Sequence, residues 1–291
     1  MSKAAASADW EAVGCDREEF IETVRSNGAQ QYRDLPWRNI DDAYAVLVSE
    51  VMLQQTQVAR VSGFWPRFMA AFPTVDSLAA AATADVLEMW QGLGYNRRAL
   101  ALKRACEICS VQYGGVLPVD RNALVALPGI GPATAAGVLA FAYDAPGVYI
   151  ETNVRSVFLH HLFPESDGVS DKMLEPYVRD TCPETGARAW YYALLDYGAY
   201  LKSTGKNASR RSAHYARQSR FAGSRREKRS FILKCVLASE GGIEEGEVLR
   251  RINDFERSQG RMEIDGEHFA ALVGELASEG FFRHIEGRIV P

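Results

Sequence analysis

The chain has 291 residues, 47% of them hydrophobic, and a formal net charge of −4. That is enough apolar material for one or two packed cores plus an appendage. No window offers the roughly 18 uninterrupted apolar residues of a membrane-spanning helix, and residues 1–10 lack the charged and apolar regions of a signal peptide, so a cytoplasmic protein is expected.

Apolar residues at helical spacing predict helices over 20–24, 43–53, 64–72, 86–90, 100–111, 134–142, 154–162 and 190–201. Glycine and proline mark the joints at Phe72-Pro73, Gly114-Gly115, Pro128-Gly129, Pro146-Gly147 and Phe163-Pro164. Towards the end, 231–238, 245–255 and 267–279 read as three amphipathic helices, followed by strand-like pieces at 281–285 and 288–290 around Glu286-Gly287. Three helices and a hairpin predict a winged helix. That fold often binds DNA, yet this segment is acidic, so a protein contact or a brace for the preceding basic arm fits it equally well.

The five cysteines, Cys15, Cys106, Cys109, Cys182 and Cys235, are scattered and odd in number, as expected in a reducing compartment. Cys106 and Cys109 form a C-x-x-C inside a helical stretch with no second pair nearby, so they read as small packing residues rather than zinc ligands. Charge is strongly asymmetric. Lys202, Lys206, Arg210, Arg211, Arg217, Arg220, Arg225, Arg226, Lys228 and Arg229 crowd one segment against a single acid, Glu227. A solvated face is one reading; a phosphate-binding arm is favoured because the run is one-signed.

Leu127-Pro128-Gly129-Ile130-Gly131 opens onto an alanine-rich run at 135–142. The two glycines permit a tight turn whose backbone amides, at the start of the next helix, favour an anion such as a DNA phosphate. The same string also serves as an ordinary turn before a buried helix. Glu50 lies among Val48, Val51, Met52 and Leu53, where desolvation would favour its protonated form near neutral pH.

Leu35-Pro36-Trp37-Arg38, then Ser49-Glu50-Val51-Met52-Leu53-Gln54-Gln55-Thr56-Gln57-Val58, Gly92-Leu93-Gly94-Tyr95, the glycine hairpin and Ile150-Glu151-Thr152-Asn153-Val154-Arg155 follow one another in order. Together they resemble the MutY-type adenine DNA glycosylases of the helix-hairpin-helix superfamily, from about Leu35 to Gly198. The resemblance implies an all-α, two-lobed fold with the catalytic cleft beside the hairpin. The expected divisions are an N-terminal helix packing on the second lobe at 1–34, a six-helix-type lobe with the hairpin at 35–145, a second helical lobe with the basic DNA-binding segment at 146–229, and the winged-helix-like domain at 230–291.

The resemblance also implies roles. Glu50 would protonate the departing base, and Glu151, standing where the family has aspartate, would stabilise the sugar cation and position water; its plainer role is to answer a helix dipole. Trp37, Arg38 and Tyr192 would wall the base pocket, although Tyr192 replaces the family's Gln or Glu and also reads as plain core. Gln54, Gln55 and Tyr95 would fill the stack and probe the opposite base. Leu127, Gly129, Ile130 and Gly131 would bind phosphate, with Lys202, Arg210, Arg211, Arg217 and Arg220 as the basic segment. Ala133 stands where bifunctional members carry a nucleophilic lysine and some adenine-specific members a tyrosine, which implies a monofunctional hydrolase.

The family's iron-sulfur cysteines would fall at Lys202, Ser209, Ser212 and Gln218, none of which supplies a thiolate. No cluster is expected; packing of Tyr200, Tyr215 and Phe221 is expected to hold the segment, and a monovalent cation at the hairpin is allowed when DNA is bound. The implied partner is double-stranded DNA with a lesion or mismatch, handled by a monomer at the nucleoid. Adenine is the first expectation for the excised base. Hypoxanthine or a mismatched uracil or thymine, and a protein that binds lesions without cutting, remain alternatives.

Overall fold

The computed structural model describes residues 7–205, 207–215, 219–239, 241–285 and 288–291. In chain order the elements are α1 (Arg17–Gln30), α2 (Ala43–Leu53), α3 (Val58–Ala71), α4 (Val75–Ala80), α5 (Thr83–Trp90), α6 (Arg97–Gln112), α7 (Arg121–Ala126), α8 (Pro132–Tyr143), α9 (Thr152–Leu162), α10 (Asp171–Thr181) and α11 (Ala187–Ser203). A short 3-10 turn, Ala208–Arg211, precedes α12 (Arg225–Leu237), β1 (Ile243–Glu244), α13 (Glu245–Ser258), α14 (Gly266–Ser278), β2 (Arg283–Ile285) and β3 (Arg288–Val290). Among the described residues no helix is long and apolar enough to cross a membrane.

Local chemistry explains the helices that matter most. Asp16 caps α1 by accepting from the Glu19 amide, so the helix begins well before its first apolar residue. α2 is apolar almost all round and is buried from Tyr44 to Met52 except at Glu50. α8 starts with Gly131 as N-cap and Pro132 in its first turn, where a missing amide hydrogen costs nothing.

The chain forms two compact units, Met1–Glu50 with Leu117–Arg217, and Val51–Val116 with Gln218–Pro291. This differs from the four consecutive segments expected from the sequence, because the chain leaves and re-enters each unit and α2 runs through the first division point. In the first unit α11 packs on α1, α8 and α9. Gly198 allows a close approach: a Cβ there would collide with the Asn153 carbonyl at the start of α9. In the second unit α4 and α5 pack on α6, and α12 packs on α5, α13 and α14. Its antiparallel sheet has the order β1-β3-β2, with Ile289 of β3 opposite both Ile243 and His284. Three helices and this small sheet make the winged-helix-like module; the sequence did not signal the two-residue β1.

Candidate active site

Glu50, near the end of α2, faces Tyr149 and the α8 residue Gly137 within the first unit. The Tyr149 hydroxyl donates to Glu50 Oε2 at 3.3 Å. Part of the Glu50 surface reaches the outside, yet its carboxyl is packed deeply enough to be desolvated. That desolvation, reinforced by the charge of Glu151 and opposed by the Tyr149 hydrogen bond, pushes its pKa up to about 8. A carboxyl so placed carries its proton at neutral pH, as a general acid must.

Glu151 is the N-cap of α9. Its Oε1 accepts from the Asn153 amide and, at 3.0 Å, from the Val154 amide. Capping and a catalytic role are compatible here, because both capping bonds fall on Oε1. Beside it, the half-buried Lys202 donates from Nζ to Asn153 Oδ1 at 2.8 Å, and burial lowers its pKa. Lys202 is thus tied to the start of α9 rather than projecting from the basic segment.

The residues expected to wall the base pocket are all buried, Trp37 and Arg38 each at 6% exposure and Tyr192 the same. Arg38 grips the fully buried side chain of Asp196 with both terminal nitrogens, Nη1 to Oδ2 at 2.7 Å and Nη2 to Oδ1 at 2.8 Å. Arg33 adds a third bond at 2.5 Å, so a bidentate pair and a second cation neutralise one carboxylate. The Arg38 guanidinium also lies over the Tyr192 ring, 4.4 Å from its centroid, and that ring stacks on Phe141 at 5.0 Å. Tyr192 is packed as a core aromatic. Its buried hydroxyl, faced by the Asn39 backbone, makes no well-formed hydrogen bond.

At the hairpin, α7 turns into α8 through Gly129, whose φ of +74° a side chain would strain, and the turn closes with the Ile130 amide on the Leu127 carbonyl at 3.2 Å. Leu127 and Ile130 anchor it by burial, while Gly129, Gly131 and Ala133 are exposed. The turn therefore offers backbone to solvent at a helix start, as the phosphate reading requires.

In the second unit, Gln55 and Tyr95 both hold left-handed backbones, with φ of +55° and +49°. Arg98 ties their loops together. Its guanidinium donates to the carbonyls of Val51 at 2.8 Å, Met52 at 2.9 Å and Gly94 at 2.9 Å, to that of Gln54, and to Thr56 Oγ1 at 3.1 Å. With no carboxylate partner among these bonds, burial brings its pKa down to about 10. Arg226 of α12 donates to the Tyr95 hydroxyl at 2.6 Å and lies over the rings of Tyr95 and Phe221.

The basic segment is largely spoken for by its own protein. Arg211 donates to the carbonyls of Pro164 and, at 3.0 Å, Leu159, closing the end of α9. Arg225 and Arg229 pair with Glu275, Arg229 also with Glu279 at 2.7 Å, and Lys228 with Glu256 at 3.1 Å. Arg210 and Arg220 are exposed; Arg217 and Gln218 lie outside the described residues. Tyr200, Tyr215 and Phe221 do not pack the segment down, being 38%, 46% and 51% exposed. Instead backbone bonds join Val169 to Arg211 and Ala213, and Ser209 and Ser212 are buried. Among the described residues no group of three or more His, Cys, Asp or Glu could hold a metal. The donors at 202, 209 and 212 do not fit an iron-sulfur cluster.

Sequence reasoning missed Tyr149, Gly137, Asp196 and the Lys202–Asn153 bond. Tyr149 stands two positions before Glu151 on the non-helical approach to α9, an alternation that places side chains on a common face and could have flagged it.

The helical fold thus sets a glycine hairpin before α8 and brings the carboxyls of Glu50 and Glu151 close enough for the charge of one to act on the other. Residues 48–184 match the model of the HhH-GPD superfamily of base excision DNA repair proteins. The chain is 40% identical over 169 residues to the adenine DNA glycosylase of Mycolicibacterium smegmatis, covering 57% of this chain and 58% of that protein. It is 37% identical over 179 residues to the adenine DNA glycosylase of Mycobacterium tuberculosis H37Rv, covering 58% and 57%. The chain thus spans under two thirds of the length of these curated relatives. Two solved structures share the fold: a thermostable thymine-DNA glycosylase, with TM-score 0.57, 24% identity and coverage of 66% of this chain and 88% of that one, and endonuclease III in a non-covalent DNA complex, with TM-score 0.55, 19% identity and coverage of 64% and 86%.

Proposed function

We propose that this protein is a monofunctional DNA glycosylase that hydrolyses the N-glycosidic bond of a base flipped out of the duplex, with adenine as the base. The observation that carries the proposal is Glu50, a carboxyl kept protonated to about pH 8 beside a second carboxylate, Glu151, held at a helix start. Glu50 gives its proton to the departing base. Glu151 stabilises the oxocarbenium-like sugar and orients the water that attacks it. A carboxylate about 4 Å from that cation is worth roughly 4 kcal/mol at an effective dielectric near 20, or about a thousandfold in rate.

The relatives' adenine specificity supports adenine here, whereas the packing of Tyr192 between Arg38 and Phe141 favours a second reading, the same chemistry on another base. Duplexes carrying adenine, hypoxanthine, uracil or thymine in a mismatch, incubated with the protein and then treated with alkali to cut abasic sites, separate these substrates. Adenine release abolished by Glu50→Gln supports the first reading, and binding without release from any duplex leaves a lesion-binding protein. We further propose that the protein works as a cluster-free monomer at the nucleoid, with double-stranded DNA as its partner. The monovalent cation at the hairpin belongs to the DNA-bound state of the same proposal.

A further inference from the structure

Two buried residues meet the Glu50 carboxyl, and both come from segments to which the sequence assigned no chemistry. Tyr149 is 5% exposed, and its ring is fixed edge-on against Phe141 and Tyr191, with centroids 5.3 Å away in each case. Its backbone amide donates to the Tyr191 hydroxyl at 3.2 Å, and that hydroxyl in turn donates to the Gly147 carbonyl. The phenol therefore has one orientation, with its oxygen 3.3 Å from Glu50 Oε2. Gly137 makes the meeting possible. A Cβ at this position of α8 would collide with Glu50 Oε2 and stand 3.0 Å from Tyr149 Cε2.

We propose that Tyr149 is a positioning residue for Glu50, holding Oε2 by hydrogen bond in a slot that Gly137 keeps open, and so reserving Oε1 as the oxygen that carries the transferable proton. The proposal rests on the glycosylase reading. Its logic is one of donors and acceptors. Burial and the neighbouring carboxyls hold the Tyr149 proton in place, so the phenol stays a donor, and in the structure its hydroxyl donates to Oε2. A carboxyl accepting at Oε2 keeps its own hydrogen on Oε1, pointing away from Tyr149. Once that proton has passed to the base, the same phenol stabilises the carboxylate left behind, so the bond strengthens as the reaction proceeds. Exposed Ala133 has no hydroxyl with which to do this.

The titratable groups acting on Glu50 are Tyr149 and Glu151, with Tyr191 behind Tyr149 and Lys202 beside Glu151. Tyr149→Phe removes the one hydrogen bond and little else. Single-turnover excision should fall about 10- to 100-fold, as for a lost hydrogen bond to a charged group, with duplex Kd unchanged. The alkaline limb of the pH–rate profile should move up by roughly one unit, because the bond that holds the Glu50 pKa down is gone. A carbon-13 carboxyl titration of Glu50 should move the same way without any substrate. Gly137→Ala should keep its melting temperature, since the flexible end of Glu50 can swing aside, but lose excision.

Glu50→Gln, run alongside, separates the layers. If that variant excises like the parent, the acid assignment falls and the positioning role with it. If it is inactive while Tyr149→Phe matches the parent in rate, pH limb and carboxyl titration, only the positioning role falls. Full activity of Gly137→Ala overturns the slot.

Discussion

At the scale of single residues, Glu50 links packing to pH. Its raised pKa means that excision should be level below about pH 8 and fall tenfold per unit above it, as the acid loses its proton. The same displacement has a cost in stability. Below the ordinary carboxylate pKa of 4.5 both folded and unfolded chains are protonated and nothing is lost. Between there and about 8 the unfolded chain ionises first, so stability declines, by about 1.4 kcal/mol for each pH unit at most. Glu50→Gln, which cannot ionise, should therefore gain stability over the parent progressively between pH 5 and 8 and hold that gain at pH 9. Urea denaturation across this range measures it, and a difference independent of pH would show that Glu50 ionises normally. In single-turnover assays the same variant should lose about three orders of magnitude in rate. Glu151→Gln asks a different question, because its amide oxygen can still cap α9 while the charge is gone. Its rate should drop about a thousandfold, with a stability change of no more than about 1 kcal/mol; a rate equal to the parent's would leave Glu151 as a cap alone.

At the scale of elements, Arg98 joins the end of α2 to the loop before α6 by donating to carbonyls that α2 cannot satisfy internally. Arg98→Met should cost a few kcal/mol, since it leaves several part-buried acceptors unpaired. It should also loosen Gln54 and Tyr95, so faster proteolysis near residue 55 is the expected companion, and an unchanged urea midpoint would contradict the assignment. The sequence made the long, strongly periodic helices legible, α2, α6, α8 and α11 among them. It did not reveal α10, whose Pro176 interrupts the helical pattern. In the fold Pro176 is tolerated because Leu174, Tyr177, Val178 and Thr181 form a buried face that outweighs one lost backbone bond. α4 and α7 were also missed, each being six residues long and set by its cap, Thr74 or Asp120. The site was legible in the same uneven way. Glu50, Glu151 and the hairpin stand in local strings, whereas Asp196 and Tyr149 matter only through partners far away in sequence.

At the scale of the whole molecule, the one-signed run at 202–229 reads as a phosphate arm in sequence, yet the fold divides it. Arg211 closes α9, while Arg225, Lys228 and Arg229 answer carboxylates of the winged-helix-like module, whose acidity is thereby partly explained as a brace. A count of charges along the chain cannot separate these internal pairs from cations facing solvent. Arg210 and Arg220, exposed and outside these internal pairs, are the members with which the arm can be tested. If they bind phosphates, replacing both with alanine should weaken binding to lesion and plain duplexes alike, since phosphate bonds carry no sequence information. The slope of log affinity against log salt should become shallower by up to about 0.9 for each phosphate no longer neutralised. Excision at saturating enzyme should survive, because Glu50 and Glu151 are untouched. Arg211→Ala is the informative contrast. Its guanidinium serves the end of α9, so this change should lower the unfolding midpoint and leave the salt slope alone. A salt slope that ignores Arg210 and Arg220 but responds to Arg211 would reverse this division and make the α9 cap the group that meets DNA.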